Sequence, residues 1–256
     1  MQQPDERKRA LEEDGFVTIP GFLSGERFEE ILALVERYVT EVVPSLPPEQ
    51  AFYQQDGKPE TLKQIENMEE YEPLRRWMYS GPFHDVATSL LGDPVHCNGI
   101  EWFNKPPASD HPTPPHQDNF YFSKQPPDVI TLWLALDPVD EENGCLRYVP
   151  GSHREGSRQH QKTSILGFSQ GIDGYDQQDQ ETPVVLNPGD LVIHHCEVIH
   201  RADVNRSTRR HRRSLALVYQ GANVKLDPVQ WSVYRNQRKA LYDEIGLDSE
   251  HDSQRQ

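Results

Sequence analysis

The stretch from Val129 to Leu136 reads Val-Ile-Thr-Leu-Trp-Leu-Ala-Leu, and no other segment constrains the fold as strongly. It is far too short to cross a bilayer and matches a strand buried on both faces. Such a strand needs a packed layer on each side. Helical patterns crowd the first third of the chain. Residues 5–13 read as a short charged helix, Asp14-Gly15 as a turn and Phe16 to Pro20 as a first strand. Ser24 is placed to cap a helix running to about Thr40, whose apolar stripe is Phe28, Ile31, Leu32, Leu34, Val35 and Val39. Two more helices are expected near Glu72–Tyr79 and Phe83–Leu91, the latter closed by Gly92. Residues 49–70 are polar and read as a loop-rich excursion with a short strand or two.

From Val95 onward short strands take over: Val95 to Asn104, Cys145 to Val149, Val184 to Leu186, Leu191 to His195 and Arg213 to Gln220. Residues 153–182, rich in Gln, Asp and Gly, read as a long loop able to act as a lid. A C-terminal helix is expected over Pro228 to Ile245, within residues 226–246, and disorder over 247–256. There is no βαβ alternation and no internal repeat. The expected fold is therefore mainly β with flanking helices. We expect a β-sandwich or jelly-roll barrel, with helices packed outside, in a single domain spanning 1–256.

Charge and cysteine content narrow the function. Lys plus Arg number 26 against 41 Asp plus Glu, a formal charge of −15. That surface repels phosphate backbones and anionic membranes, so neither nucleic acid nor membrane is expected as a partner. The charged stretch Met1 to Arg9 has no apolar run behind it to serve as a signal peptide. Cys97, Cys145 and Cys196 form neither a disulfide framework nor a zinc knuckle, which fits a reducing cytoplasm.

The chemistry-bearing residues begin with His116-Gln117-Asp118. In an extended segment, residues i and i+2 point to one face, so an imidazole and a carboxylate can grip one metal ion. Two histidines and a carboxylate on one face of an octahedron leave three positions open, the arrangement of non-haem Fe(II) oxygenases. Downstream, His194, His195 and His200 compete for the third ligand position. Alternation alone does not choose among them, though His200, at a strand end before a turn-rich segment, can reach a metal at a barrel mouth. A 2-oxo acid chelating such a metal needs a buried cation for its far carboxylate, which a guanidinium serves best. Arg212 and Arg213 open a strand and, being adjacent, face opposite ways, so only one points inward.

At this point the sequence resembles the phytanoyl-CoA dioxygenase family of Fe(II)/2-oxoglutarate-dependent oxygenases. The resemblance rests on several features in the family's order: His116-Gln117-Asp118, Trp133-Leu-Ala-Leu, the Asn143-Gly-Cys-Leu turn, Pro150-Gly-Ser-His153, Gly189-Asp190 with His200, and Asn205-Arg-Ser running on to Arg212-Arg213. They span roughly residues 14–220. The resemblance implies a double-stranded β-helix, with His116, Asp118 and His200 as iron ligands and Arg212 on the 2-oxoglutarate C5 carboxylate. It further implies that Lys63, Gln117 and Trp133 line the co-substrate pocket. The cofactors implied are Fe(II), 2-oxoglutarate and O2, and the partner a small-molecule substrate.

The reading that follows is a dioxygenase hydroxylating an unactivated C–H bond. Its rivals are a ligand-binding jelly roll with a vestigial metal site and a metal-dependent hydrolase. A halogenase would carry Gly or Ala where Asp118 stands.

Overall fold

The computed structural model describes residues 4–55, 57–92, 94–165 and 168–245; the tail expected to be disordered lies outside them. Its strands are β1 (Phe16–Ile19), β2 (Ala51–Tyr53), β3 (Leu62–Ile65), β4 (Val95–Lys105), β5 (Thr113–His116), β6 (Lys124–Gln125), β7 (Val129–Ala135), β8 (Leu146–Tyr148), β9 (His160–Ile165), β10 (Phe168–Ile172), β11 (Thr182–Val184), β12 (Leu191–His195), β13 (His200–Ala202), β14 (Arg212–Gly221) and β15 (Lys225–Leu226). The helices are α1 (Pro4–Asp14), α2 (Gly25–Arg37), α3 (Glu72–Arg75), α4 (Pro82–Leu91), α5 (Asn119–Phe122) and α6 (Pro228–Ile245). No helix among the described residues is long and apolar enough to cross a membrane.

Two sheets carry the architecture, a larger one in the order β1-β12-β7-β14-β4-β3-β2 and a smaller one in the order β11-β8-β13-β5. Along the chain, β4, β7, β12 and β14 of the larger sheet alternate with β5, the β8–β11 pair and β13 of the smaller one. That alternation is a jelly roll, or double-stranded β-helix. The strand-by-strand parity then sorts every side chain of the larger sheet. On β7, Ile130, Leu132 and Leu134 pack with Ile31, Leu34, Val35, Phe83 and Leu90 of the outer helices. Trp133 and Ala135 face the other way and pack between the sheets with Leu146, Tyr148, Val184 and Val192. The apolar run is thus covered on both sides, as its composition requires.

The long loop expected over 153–182 is instead largely ordered. Strands β9 and β10 form an antiparallel ribbon, and Gly171 sits where an added Cβ would meet Pro114 of β5 at 3.2 Å. Its sequence, rich in Gln, Asp and Gly, hides the ribbon. The helix expected to Tyr79 breaks after Arg75 into a tighter turn over Arg76–Met78. Ser24 precedes α2 in extended geometry but makes no side-chain cap bond.

Candidate metal centre and its cavity

His116 closes β5, and the chain then turns helical, with Asp118 (φ −57°, ψ −34°) directly preceding α5. The segment is therefore extended only up to the histidine. His200 opens β13 and is the cross-strand partner of His116, which brings their rings to 4.2 Å between centroids. Register across the smaller sheet, rather than alternation along one strand, selects the third histidine. His194 and His195 fall elsewhere. His194 points into the barrel, and His195 packs against His153 outside it at 5.2 Å.

The hydrogen bonds define the tautomers. His116 Nδ1 donates to the Pro114 carbonyl at 2.8 Å and His200 Nδ1 to the Val198 carbonyl at 3.1 Å. Carbonyls only accept, so each ring presents an Nε2 lone pair. Both Nε2 atoms stand 3.5 Å from Asp118 Oδ1, and the three donor atoms lie within 4.8 Å of one another. Lone pairs converging on a carboxylate oxygen repel unless a cation sits among them. This donor set fits a divalent metal held on one side.

The other carboxylate oxygen is fixed. Asp118 Oδ2 accepts from Thr131 Oγ1 at 2.7 Å and from His194 Nε2 at 3.0 Å, and His194 Nδ1 in turn accepts from the Tyr148 hydroxyl at 2.9 Å. These partners leave Oδ1 for the centre, as outer-shell bonds do in metal sites. Burial pushes His200 well below the imidazole range.

A cavity of about 140 Å³ opens on this cluster and is lined also by Lys63, Lys105, His111, Trp133 and Arg212. Of the two adjacent arginines, Arg212 is the inward one. It is 3% exposed, lies 5.3 Å from the Trp133 ring centroid, and its Nε has no hydrogen-bond partner. Burial lowers its pKa to about 10. Arg213 faces the helices and grips Asp137 through Nε (2.9 Å) and Nη2 (2.7 Å). Lys63 is buried, 3.5 Å from His111 Nδ1, with a pKa lowered by burial to about 8.

Gln117 does not line the cavity. Its Nε2 donates to the carbonyls of Gly156 (3.0 Å) and Glu197 (2.7 Å), and its Oε1 accepts from Arg158 N (2.6 Å). Both ends of the amide are thus spent tying loops to the turn between the ligands. Of the aromatic run, Tyr121 and Phe122 reach the cavity while Phe120 stacks on His160. Helix α6 adds Tyr234, Arg238 and Leu241 to the wall, so the C-terminal helix covers the site as well as the barrel. Thr131, Tyr148 and Lys105 escaped the sequence reading, and His194 entered it only as a rival metal ligand. Only the parity of β4, β7 and β12 could have shown the barrel-facing ones.

Barrel, triad and buried arginine define a class, the non-haem iron oxygenases that consume 2-oxoglutarate. The chain belongs to the phytanoyl-CoA dioxygenase (PhyH) family, whose model matches residues 11–214. The peroxisomal phytanoyl-CoA dioxygenase of Rattus norvegicus is 26% identical over 245 residues, covering 90% of this chain and 72% of that protein. Among solved structures, the epimerase SnoN in complex with Fe3+, alpha ketoglutarate and nogalamycin RO superposes with a TM-score of 0.69 at 23% identity, over 91% of this chain and 89% of SnoN. EvdO2 from Micromonospora carbonacea var. aurantiaca, complexed with 2-oxoglutarate, gives 0.68 at 23% identity over 90% and 97%. The protein is a 2-oxoglutarate-dependent non-haem iron dioxygenase.

Proposed function

We propose that the protein hydroxylates an unactivated C–H bond of a small organic substrate, with His116, Asp118 and His200 holding Fe(II) and Arg212 receiving the far carboxylate of 2-oxoglutarate. One observation carries this reading. Two Nε2 lone pairs and Asp118 Oδ1 converge in the same cavity as a buried guanidinium whose Nε is unpartnered. When bound, the metal and co-substrate supply the oxidation: O2 is consumed, 2-oxoglutarate leaves as succinate and CO2, and one oxygen atom is inserted into the substrate's C–H bond.

The chain's own residues bind, orient and exclude water. Thr131 and His194 fix Asp118 so that one oxygen serves the metal. Trp133 supports Arg212 from one face, and a guanidinium so placed offers a carboxylate parallel charge-assisted bonds. Lys63 adds positive charge to the pocket. Tyr121, Phe122, Tyr234 and Leu241 supply its apolar wall, which keeps water from the reacting centre. The carboxylate at Asp118 supports hydroxylation over halogenation. Gln64 and Glu66, from the 49–70 excursion, line the cavity and are our candidates for substrate selection. No described residue of 153–182 lines it. The free cysteines support a reducing compartment, for which we propose the cytoplasm.

Anaerobic titration of the apo-protein with Fe(II) and then 2-oxoglutarate tests the proposal. We expect a weak visible metal-to-ligand charge-transfer band in the wild type and none in Asp118→Ala. Bound metal without the band on adding 2-oxoglutarate would overturn the reading.

A further inference from the structure

Lys105 ends β4 with its side chain on the barrel face, directly across from Arg212 in the pairing of β4 with β14. It is 4% exposed and lines the same cavity as Arg212 and Lys63. Two features of the fold hold it there. Its Nζ donates to the His111 carbonyl at 2.9 Å. Its stem passes Gly144, where an added Cβ would lie 2.9 Å from Lys105 Cδ and 2.5 Å from the Asp203 carbonyl. Gly144 also has φ +82°, so the Asn143-Gly144 turn leaves both the backbone conformation and the space this lysine needs.

The charge around it is one-sided. Arg212 from β14 and Lys63 from β3 repel it, and the opposing charge that reaches it is Asp203. Asp203 is already committed, accepting from Arg147 Nε at 2.9 Å and from Arg201 Nη1 at 2.5 Å. His111, the remaining titratable neighbour, offers Lys105 its carbonyl. Among the described residues, then, Lys63, Lys105 and Arg212 form no ion pair. Burying an uncompensated charge costs several kcal/mol, and a chain with no use for it would carry an apolar residue instead. A dianion entering the cavity supplies the missing charge.

We propose that Lys105 is a second anchor for the free carboxylate of the co-substrate, sharing it with Arg212. The inference rests on the 2-oxoglutarate reading of the site. Burial and its cationic neighbours push the Lys105 pKa well below the ordinary lysine value. An arriving carboxylate favours the ammonium form, so binding and protonation are linked.

The test is calorimetric titration of 2-oxoglutarate into Fe(II)-loaded protein at pH 7, without O2. Lys105→Met should weaken 2-oxoglutarate at least about tenfold, the loss expected for one charge-assisted bond. Lys105→Arg, whose guanidinium stays charged, should keep the affinity within a few-fold. 2-Oxobutyrate, which lacks the second carboxylate, should bind the wild type and Lys105→Met alike. Unchanged 2-oxoglutarate affinity in Lys105→Met, or equal weakening of 2-oxobutyrate, would overturn the proposal. Failure of 2-oxoglutarate to bind the metal-loaded wild type would overturn both this inference and the function on which it rests.

Discussion

The two faces of the larger sheet, built from the same four strands, differ in almost every property. Toward the helices β4, β7, β12 and β14 present Ile100, Trp102, Ile130, Leu132, Leu134, Leu191, Ile193, Leu215 and Leu217, all buried in one apolar cluster. Toward the barrel they present the apolar Trp133, Ala135, Val192 and Ala216 at one end and, toward the site, Lys105, Thr131, His194, Arg212 and Ser214, equally buried but polar. The first face contributes stability, at roughly 1.5–3 kcal/mol for each large side chain removed from water. The second spends some of that stability on buried charge, because the reaction needs groups that water would screen. A one-residue slip of any of these strands would exchange the two roles.

Substitutions on the two faces should therefore separate folding from chemistry. Leu217→Ala on the helix face should cost about 2–5 kcal/mol of unfolding free energy. Iron and 2-oxoglutarate affinities of the folded protein should be nearly unchanged, as read by chemical denaturation alongside ligand titration. Thr131→Val on the barrel face keeps the shape but removes the 2.7 Å bond to Asp118 Oδ2. It should weaken Fe(II) binding by about tenfold while shifting Tm little, which competition with a chelator would show. If Thr131→Val unfolded the protein and spared the metal, the division of labour would be wrong.

A smaller effect is expected from pH. Burial lowers the Lys63 pKa to about 8, so the folded apo-protein loses this charge below the unperturbed lysine value. A dianion binds best to the charged form. The 2-oxoglutarate affinity should thus fall more steeply as pH rises past about 8, by a few-fold per unit at most. Lys63→Met should flatten that part of the profile, measured as dissociation constants between pH 7 and 9.5.

The two faces also differ in how legible they were. The helix face is written in apolar periodicity, and the run Val129 to Leu136 announced a strand covered on both sides. The proposed iron triad was legible from residue type and spacing, with His200 favoured by its strand-end position and by the family resemblance; the structure seats it through the pairing of β13 with β5, a contact between segments 84 residues apart at His116 and His200. Alternation required one inward arginine, and the fold placed Arg212 there. Lys105 lay just past the expected strand Val95 to Asn104, at the break with Pro106-Pro107, and only its partnership with Arg212 shows where it points. Gln117 went the other way. The family resemblance implied a place in the pocket, yet the turn after His116 sends its amide to Gly156, Glu197 and Arg158. The β9–β10 ribbon stayed hidden because a stretch rich in Gln, Asp and Gly carries no clear periodic apolar signal.

Arg212 and Arg213 are adjacent, equally charged and on opposite faces, so they make the sharpest comparison. Titrating 2-oxoglutarate into the Fe(II)-loaded, oxygen-free Arg212→Ala and Arg213→Ala proteins reads the difference in one experiment. We predict that Arg212→Ala raises the dissociation constant by about 10–100-fold and that Arg213→Ala, which loses only its grip on Asp137 and Glu36, leaves it within about twofold. Weaker binding in Arg213→Ala with Arg212→Ala unaffected would contradict the assignment of the two faces and, with it, the site.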